Sequence, residues 1–235
     1  MRICFLAVAS ALLLATVGRA GDFEAERRAM VENLRGRGVK DARLLRAMQE
    51  VPRHLFLDKQ YAAQAYADKE LPIGEGQVIW QPYLVALTTE LARPRPTDKA
   101  LEVGTGCGYH AAVLSQLCER VYTIEIVPSL ARSAQERLRR LGYPKVTVKQ
   151  GDGYRGWPER QPFDVIIVTC AAEEVPMPLV EQLREGGRMV IPVSDRGKQT
   201  LTLLQKTGGV LRAVSIRKVK LTTMRREETA SPPAG

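Results

Sequence analysis

The sequence has few of the side chains that build metal centres and disulfide frameworks. Its 235 residues include two histidines, His54 and His110, and four cysteines, none of them in a Cys-x-x-Cys pair. Protein zinc sites need several such ligands at short spacing, so we expect no metal. Aromatic residues make up only 6% of the chain, and they are not interleaved with basic residues as in a platform for nucleic-acid bases.

Residues 1–20 resemble a secretory signal peptide. Arg2 precedes an apolar stretch over residues 3–17, and the small residues Gly18 and Ala20 follow it. This stretch is short for a bilayer core of roughly 30 Å. We therefore expect cleavage after Ala20, export of the mature chain and no stable membrane insertion afterwards. The alternatives are an uncleaved anchor, a buried first helix or a cytoplasmic protein.

The chain is basic, with a formal charge of +9, which loss of Arg2 and Arg19 with the leader would lower to +7. The remaining basic residues are dispersed or mixed with acids, so we expect no nucleic-acid partner. With 45% hydrophobic and 26% charged residues, the composition is that of an ordinary globular domain. The charge can help to collect acidic peptides, an effect that salt weakens.

Cleavage after Ala20 would leave three cysteines, an odd number that does not suit a disulfide framework. Cys107 and Cys118 lie too far apart along one loop and helix to be bridged. Cys107 and Cys170 are the candidate pair, because both are expected at the ends of adjacent strands.

Residues 21–97 are expected to form a helical and loop extension of the main domain. The apolar periodicity predicts two short amphipathic helices between residues 23 and 50. Glycine and proline residues predict an ordered loop over residues 71–82, and a helix is predicted from about residue 83 to residue 92.

From residue 100 onward, predicted strands alternate with predicted helices, which indicates a parallel sheet covered by helices on both faces. The predicted strands are residues 100–103, 121–124, 146–148, 163–168 and 188–193, and the predicted helices are 109–118, 129–141 and 179–184. Two further strands, 200–205 and 210–216, flank Gly208 and Gly209 and predict a hairpin. We predict an α/β fold with a doubly wound, mostly parallel seven-stranded sheet that ends in an antiparallel hairpin. The domain would span residues 21–224, and residues 225–235 would be a disordered tail.

A glycine-rich turn, Gly104-Thr105-Gly106-Cys107-Gly108, directly follows the first strand of this alternating region. Glycines let backbone N–H groups approach a ligand closely, and the helix that follows favours electronegative groups at its N-terminus. The G-x-G-x-G spacing differs from the G-x-G-x-x-G of dinucleotide-binding turns, which argues against NAD.

Carboxylates stand near the ends of three successive predicted strands. Glu125 closes the second strand, where it can accept hydrogen bonds from both hydroxyls of a ribose. Asp152 follows the third strand and can accept from an adenine amino group, and Glu102 suits the ammonium of an amino-acid tail. The simpler alternatives are a structural cap for Glu102, a solvated carboxylate for Glu125 and an ordinary turn at Asp152.

Seven sequence blocks occur in an order that is typical of one family. They are VPRHLF (51–56), LPIGEGQ (71–77), QPY (81–83), LEVGTGCGY (101–109), GDGYRGW (151–157), FDVIIVTCAAEEVP (163–176) and GGRMVIPV (186–193). Together they resemble the protein-L-isoaspartate O-methyltransferases, which belong to the S-adenosylmethionine-dependent methyltransferases. The resemblance implies methyl transfer from S-adenosylmethionine to the α-carboxylate of an L-isoaspartyl residue in a damaged protein, which starts repair through a succinimide. We expect such an enzyme to be a monomer.

The resemblance also implies where the two substrates bind. It places S-adenosylmethionine at Glu102, Gly104, Thr105, Gly106, Gly108, Glu125, Ile126, Asp152 and Gly153. It places the acceptor at Gln77, Val78, Trp80 and Gln81. An ionised carboxylate needs no general base, so we expect His54 to pack at the N-terminal helices and His110 to lie on the surface of a helix or beside the pocket.

The chain departs from the family where the acceptor would bind. The family has Thr-Ile-Ser at the positions of Val78, Ile79 and Trp80, so two hydroxyl donors are lost. Residues 219–224 replace the family's Val-Arg-Phe-Val-Pro-Leu. These changes leave open a related O-methyltransferase with another acceptor, a non-catalytic homologue that binds the cofactor and, last, a NAD-dependent oxidoreductase.

We expect protein isolated from its native cells to begin at Gly21 and to fractionate outside the cytoplasm, since the leader is short and ends in small residues. N-terminal sequencing of the fractions measures both. Detection of Met1 on the cytosolic protein would contradict export.

Overall fold

A computed structural model describes residues 23–227. The predicted leader and residues 228–235 of the predicted tail lie outside the described residues, so cleavage after Ala20 stays a prediction. Within residues 23–227, no helix combines the length and the apolar character needed to cross a bilayer.

Helices dominate the first part of the described chain, and strands alternate with helices in the second. The helices are α1 (Glu24–Gly36), α2 (Ala42–Glu50), α3 (Pro82–Ala92), α4 (Tyr109–Ser115), α5 (Pro128–Arg140) and α6 (Met177–Gln182), with short 3-10 helices at Arg53–Phe56, Lys59–Gln64, Gly153–Arg155 and Pro158–Arg160. The strands are β1 (Leu71–Gly74), β2 (Gln77–Ile79), β3 (Lys99–Val103), β4 (Arg120–Glu125), β5 (Val146–Gln150), β6 (Phe163–Val168), β7 (Leu183–Asp195), β8 (Lys198–Thr207) and β9 (Val210–Val219).

Seven strands form one sheet in the order β5-β4-β3-β6-β7-β8-β9. Neighbours from β5 through β7 are parallel, whereas β8 is antiparallel to both β7 and β9. The direction of winding reverses between β3 and β6, because β4 and β5 lie on one side of β3 and the later strands lie on the other. Open α/β sheets bind ligands at such a switch point, outside the carboxyl ends of the strands. The predicted fold class is therefore confirmed.

The two central strands are buried on both faces, as their apolar sequences predict. Ala100 and Val165 belong to the layer that contains residues of α1 to α4, whereas Leu101 and Ile166 belong to the layer that contains Leu179 of α6. The alternation follows from the two-residue period of a strand. Alternate side chains of β3 and β6 therefore pack into the two layers.

The predicted hairpin is the β8–β9 pair, and both strands are longer than expected. Its turn has positive φ at Gly208 (60°) and Gly209 (75°), the conformation in which a two-residue turn matches the twist of its strands. The Glu185 carboxylate accepts hydrogen bonds from the N–H groups of both glycines.

The loop predicted over residues 71–82 contains a small antiparallel hairpin of β1 and β2. Its turn has positive φ at Gly74 (91°), Glu75 (54°) and Gly76 (67°). The two strands have only four and three residues, too few to show an alternating pattern beside the glycines and proline, which is why the prediction missed them.

Several predicted boundaries differ from the structure, two of them near the carboxyl ends of the segments concerned. Helix α6 ends at Gln182, since Leu183 already pairs with Phe163 of β6. The predicted tail begins too early, because residues 225–227 continue the domain: the N–H of Glu227 lies 3.4 Å from the Asp152 carboxylate, and the Arg226 guanidinium lies 3.7 Å from the centre of the Tyr154 ring.

Candidate active site

A cavity lies at the carboxyl ends of β3, β4 and β6, which is where open α/β sheets bind small molecules. Its walls come from the β1–β2 hairpin, the glycine turn after β3, the ends of the three strands, and residues 222–225. We call residues 222–225 the strap. The predicted site residues that line the cavity are Gln77, Val78, Trp80, Gly104, Gly106, Glu125, Ile126 and Gly153. The predicted residues that do not line it are Gln81, Glu102, Thr105, Gly108 and Asp152.

The glycine turn is held against the end of β4 by backbone hydrogen bonds. The N–H groups of Gly104 and Thr105 both donate to the carbonyl oxygen of Ile124, at 2.8 and 3.2 Å. Gly104 has φ of 97° and Gly106 of 53°, a left-handed region that favours glycine. A Cβ on Gly104 would collide with the Thr169 hydroxyl, and one on Gly106 would lie 3.1 Å from Ile73 Cδ1. Gly108 has a packing role instead, because its Cβ would press on Leu138 of α5.

Glu125 brings a carboxylate to the cavity wall at the end of β4. Its Oε2 accepts from the N–H of Gly106 at 2.7 Å, and its Oε1 accepts from the N–H of Val127 at 3.0 Å. Each carboxylate oxygen can accept a further hydrogen bond. The side chain is thus oriented by the backbone and keeps acceptor capacity for a ligand.

Glu102 is fully buried behind the cavity wall and belongs to a chain of polar groups. Its Oε2 accepts from the Thr123 hydroxyl at 2.6 Å, and that hydroxyl lies 2.7 Å from the hydroxyl of Thr105. Its Oε1 lies 3.6 Å from Nδ1 of His110. These contacts fit the structural role that was considered as the alternative for Glu102. Through the two threonines, the side chain supports the glycine turn from the side away from the cavity.

His110 is neutral in this arrangement. The Thr89 hydroxyl donates to the Val85 carbonyl oxygen at 2.8 Å, so Nε2–H of His110 donates to Thr89 at 2.8 Å, and Nδ1 has no proton. Burial lowers the pKa of His110 to about 3 and raises the pKa of Glu102 to about 8. Oε1 of Glu102 and Nδ1 of His110 face each other at 3.6 Å, longer than a hydrogen bond, and both pKa shifts favour the uncharged form of the side chain. Of the two placements expected for His110, the structure shows the one beside the pocket, since the side chain is buried and lines the cavity.

Asp152 caps a short helix beside the cavity. Its Oδ1 accepts from the N–H of Tyr154 at 2.8 Å, an ordinary turn contact of the kind considered above as its simpler alternative. Gly153 lies in the wall, where a Cβ would collide with Val103. A side chain at this position would therefore displace the end of β3.

Residues 77–81, predicted to bind the acceptor and called the acceptor loop below, are held by a buried arginine that the sequence analysis did not single out. Arg53 is 0% exposed; its Nη2 donates to the Trp80 carbonyl oxygen at 2.6 Å and its Nε donates to that of Ala65 at 2.7 Å. Its guanidinium lies 4.8 Å from the centre of the Tyr109 ring, a favourable cation–π distance. The Trp80 side chain is 8% exposed and lines the cavity.

His54 packs as predicted at the N-terminal helices. Its ring lies 4.5 Å from that of Phe23, and its Nδ1 lies 2.7 Å from the Tyr66 hydroxyl. This contact helps to hold the segment that contains Arg53.

The candidate disulfide between Cys107 and Cys170 is absent: both are free thiols that line the cavity. Burial raises the pKa of both, that of Cys170 to about 12, so neither readily forms the thiolate that disulfide chemistry requires. In the described part of the chain, no group of three or more His, Cys, Asp or Glu side chains is placed to hold a metal ion.

A family model for protein-L-isoaspartate(D-aspartate) O-methyltransferase matches residues 25–228. The chain belongs to this family. The match includes every residue that lines the cavity, together with the β1–β2 hairpin and the strap.

Two curated members of the family show the extent of the likeness. The chain is 52% identical over 191 residues to a protein-L-isoaspartate O-methyltransferase of Roseiflexus castenholzii, covering 81% of this chain and 88% of the relative. It is 47% identical over 201 residues to one of Gloeobacter violaceus, covering 84% and 98%.

Solved structures agree with the fold. A protein-L-isoaspartate O-methyltransferase that is 33% identical superposes with a TM-score of 0.79, over 84% of this chain and 65% of that one. A Plasmodium falciparum protein solved with S-adenosyl-L-homocysteine is 24% identical and gives a TM-score of 0.76, over 86% of this chain and 99% of that one. At this lower identity the likeness supports the fold alone.

We expect Glu102→Gln to stabilise the protein over wild type increasingly as the pH rises from about 6.5 to above 8. The raised pKa means that the folded protein holds a proton that the unfolded chain releases, so wild-type stability falls with rising pH until the pKa of about 8 is passed. His110 acts with the opposite sign, but only below its ordinary pKa of 6.5. Glutamine mimics the protonated acid.

Unfolding midpoints across this pH range measure the effect. Glu136→Gln removes an exposed carboxylate from α5 and is the matched control, whose profile should parallel that of wild type. A parallel profile for Glu102→Gln as well would contradict the raised pKa.

Proposed function

We propose that the chain transfers a methyl group from S-adenosylmethionine to the α-carboxylate of L-isoaspartyl residues in damaged proteins. The observation that carries this proposal is the family match over residues 25–228, which includes the whole cavity wall. The product would be a methyl ester that cyclises to a succinimide and so starts repair.

The residues at the ends of β3 and β4 suit S-adenosylmethionine. Glu125 would accept from ribose hydroxyls with the capacity that its two backbone contacts leave. Gly104, Gly106 and Gly153 leave space and backbone groups at the wall, and Ile126 adds an apolar surface. When bound, S-adenosylmethionine supplies an electrophilic methyl group on a sulfonium.

The chain's own contribution would be alignment and exclusion of water. A carboxylate acceptor is already ionised near neutral pH, so no side chain needs to remove a proton. His110 fits this view, since its neutral ring is buried and its Nε2 is hydrogen-bonded to Thr89. Holding the attacking oxygen in line with the methyl group supplies most of the rate enhancement available to such a site.

A related O-methyltransferase with another acceptor is the second candidate. Val78 and Trp80 line the cavity where the family has hydroxyl side chains, so the acceptor wall here is more apolar. An aromatic wall favours an acceptor that stacks on it.

We also propose that the mature chain is exported and that it is a monomer. The leader sequence supports export. S-adenosylmethionine is made in the cytoplasm, so an exported enzyme would need a supply of it outside that compartment.

The deciding experiment uses mature protein, labelled S-adenosylmethionine and an isoaspartyl peptide beside its aspartyl counterpart. We expect base-labile label on the isoaspartyl peptide alone, because a methyl ester is hydrolysed by base. Label on other acceptors would favour the second candidate. Cofactor binding without any transfer would show a non-catalytic homologue and contradict the proposal.

We expect Trp80→Ser to raise kcat/KM for the isoaspartyl peptide, because it returns a hydroxyl donor to the acceptor wall. Trp80→Ala is the matched control, since it removes the same ring without adding a donor. Both variants should lose stability, by about 3–5 kcal/mol for loss of a buried tryptophan, so activities are compared at a temperature where both are folded. Equal kcat/KM values for the two would contradict the role of the hydroxyl.

A further inference from the structure

The lining of the cavity contains few charged side chains. Among the described residues that line it, Glu125 and Arg225 are the only Asp, Glu, Lys or Arg side chains. Both oxygens of Glu125 already face backbone N–H groups, and His110 is neutral. The positive charge at this wall therefore comes from Arg225.

The acceptor loop offers an anion few hydrogen-bond donors and no positive charge. Val78, Ile79 and Trp80 contribute apolar surface, and the side-chain amide of Gln77 donates to the Glu75 carbonyl oxygen at 3.4 Å. A carboxylate that leaves water for such a surface loses its hydration and needs a charged or hydrogen-bonding partner in return.

Backbone hydrogen bonds fix the strap directly before Arg225. The N–H of Ala171 donates to the Thr222 carbonyl oxygen, and the N–H of Met224 donates to that of Ala171, both at 2.8 Å. The Met224 side chain is buried in the core layer beneath. The strap backbone therefore holds Arg225 at the cavity.

The two adjacent arginines have different surroundings. Arg226 lies over the Tyr154 ring at 3.7 Å and does not line the cavity. Arg225 lines the cavity, and no carboxylate within residues 23–227 forms an ion pair with it. Arg225 is thus available to an incoming anion. Arg226 has the same charge but contacts Tyr154 instead of the cavity.

Building on the proposed function, we propose that Arg225 binds the acceptor carboxylate and replaces the hydroxyls that the family has at positions 78 and 80. One carboxylate oxygen pairs with the guanidinium and the other attacks. The attacking oxygen forms a bond to the methyl carbon as the carbon–sulfur bond breaks, and the electron pair of that bond stays on sulfur. Carboxylate and sulfonium become ester and thioether, and no proton moves.

The test measures the Kd of the mature protein for an isoaspartyl peptide. The peptide has blocked ends, so that its only carboxylate is the acceptor, and the protein is saturated with S-adenosyl-L-homocysteine. We expect Arg225→Gln to raise Kd roughly tenfold, the usual effect of losing a charge-assisted hydrogen bond. Arg226→Gln removes the same charge and should change Kd less than about twofold. Arg225→Lys should fall between, because it keeps the charge but not the planar fork.

A second peptide separates anion recognition from a structural role. The amide analogue of the isoaspartyl carboxylate has no charge, so Arg225→Gln should leave its Kd unchanged. Equal Kd values for Arg225→Gln and Arg226→Gln, an equal loss for both peptides, or no binding by wild type would each overturn the role of Arg225. Methyl transfer by wild type is measured separately, so failure of the proposed function is seen in that assay and failure of this inference in the binding assay.

Discussion

The binding cavity depends on how the turn after β3 is attached to the ends of its two neighbours. Gly104 and Thr105 donate to Ile124 of β4, and from the other side the Thr169 hydroxyl, just after β6, contacts the carbonyl oxygens of Val103 and Gly104 at 3.0 and 2.8 Å. Each buried bond contributes about 1 kcal/mol net, but leaving its groups unpaired would cost about 1–3 kcal/mol. Three strand ends are thereby held in one arrangement, and the orientation of Glu125 follows from it.

The acceptor side is held through a backbone carbonyl rather than a side chain. Arg53 binds the carbonyl oxygen of Trp80, and burial without a carboxylate partner lowers the pKa of this arginine. This hydrogen bond does not involve the side chain at position 80. The hydrogen bond to the backbone places the loop, whereas the side chain at position 80 determines which atoms face the cavity.

The fold was largely predictable because short stretches of the sequence indicate each strand and turn on their own. The run FDVIIV has the length and composition of a buried strand, and Gly208-Gly209 between two strand patterns indicates a hairpin. The lining of the cavity was predictable where a residue lies in the glycine turn or at a strand end, as with Gly104, Gly106 and Glu125.

The remainder of the site depends on tertiary contacts that no local pattern encodes. Arg53 stands in a recognised sequence block, but its hydrogen-bond partners are residues 65 and 80. Glu102 precedes the glycine turn, yet a strand's alternation turns its side chain toward Thr123 and His110. Arg225 stands in a polar, proline-containing segment that predicts a tail, and its place in the wall follows from strap contacts with residue 171. The strap follows all seven strands in the sequence, so one wall of the cavity comes from the last residues that the structure describes. The sheet and the glycine turn are complete without the strap, whereas the cavity is not.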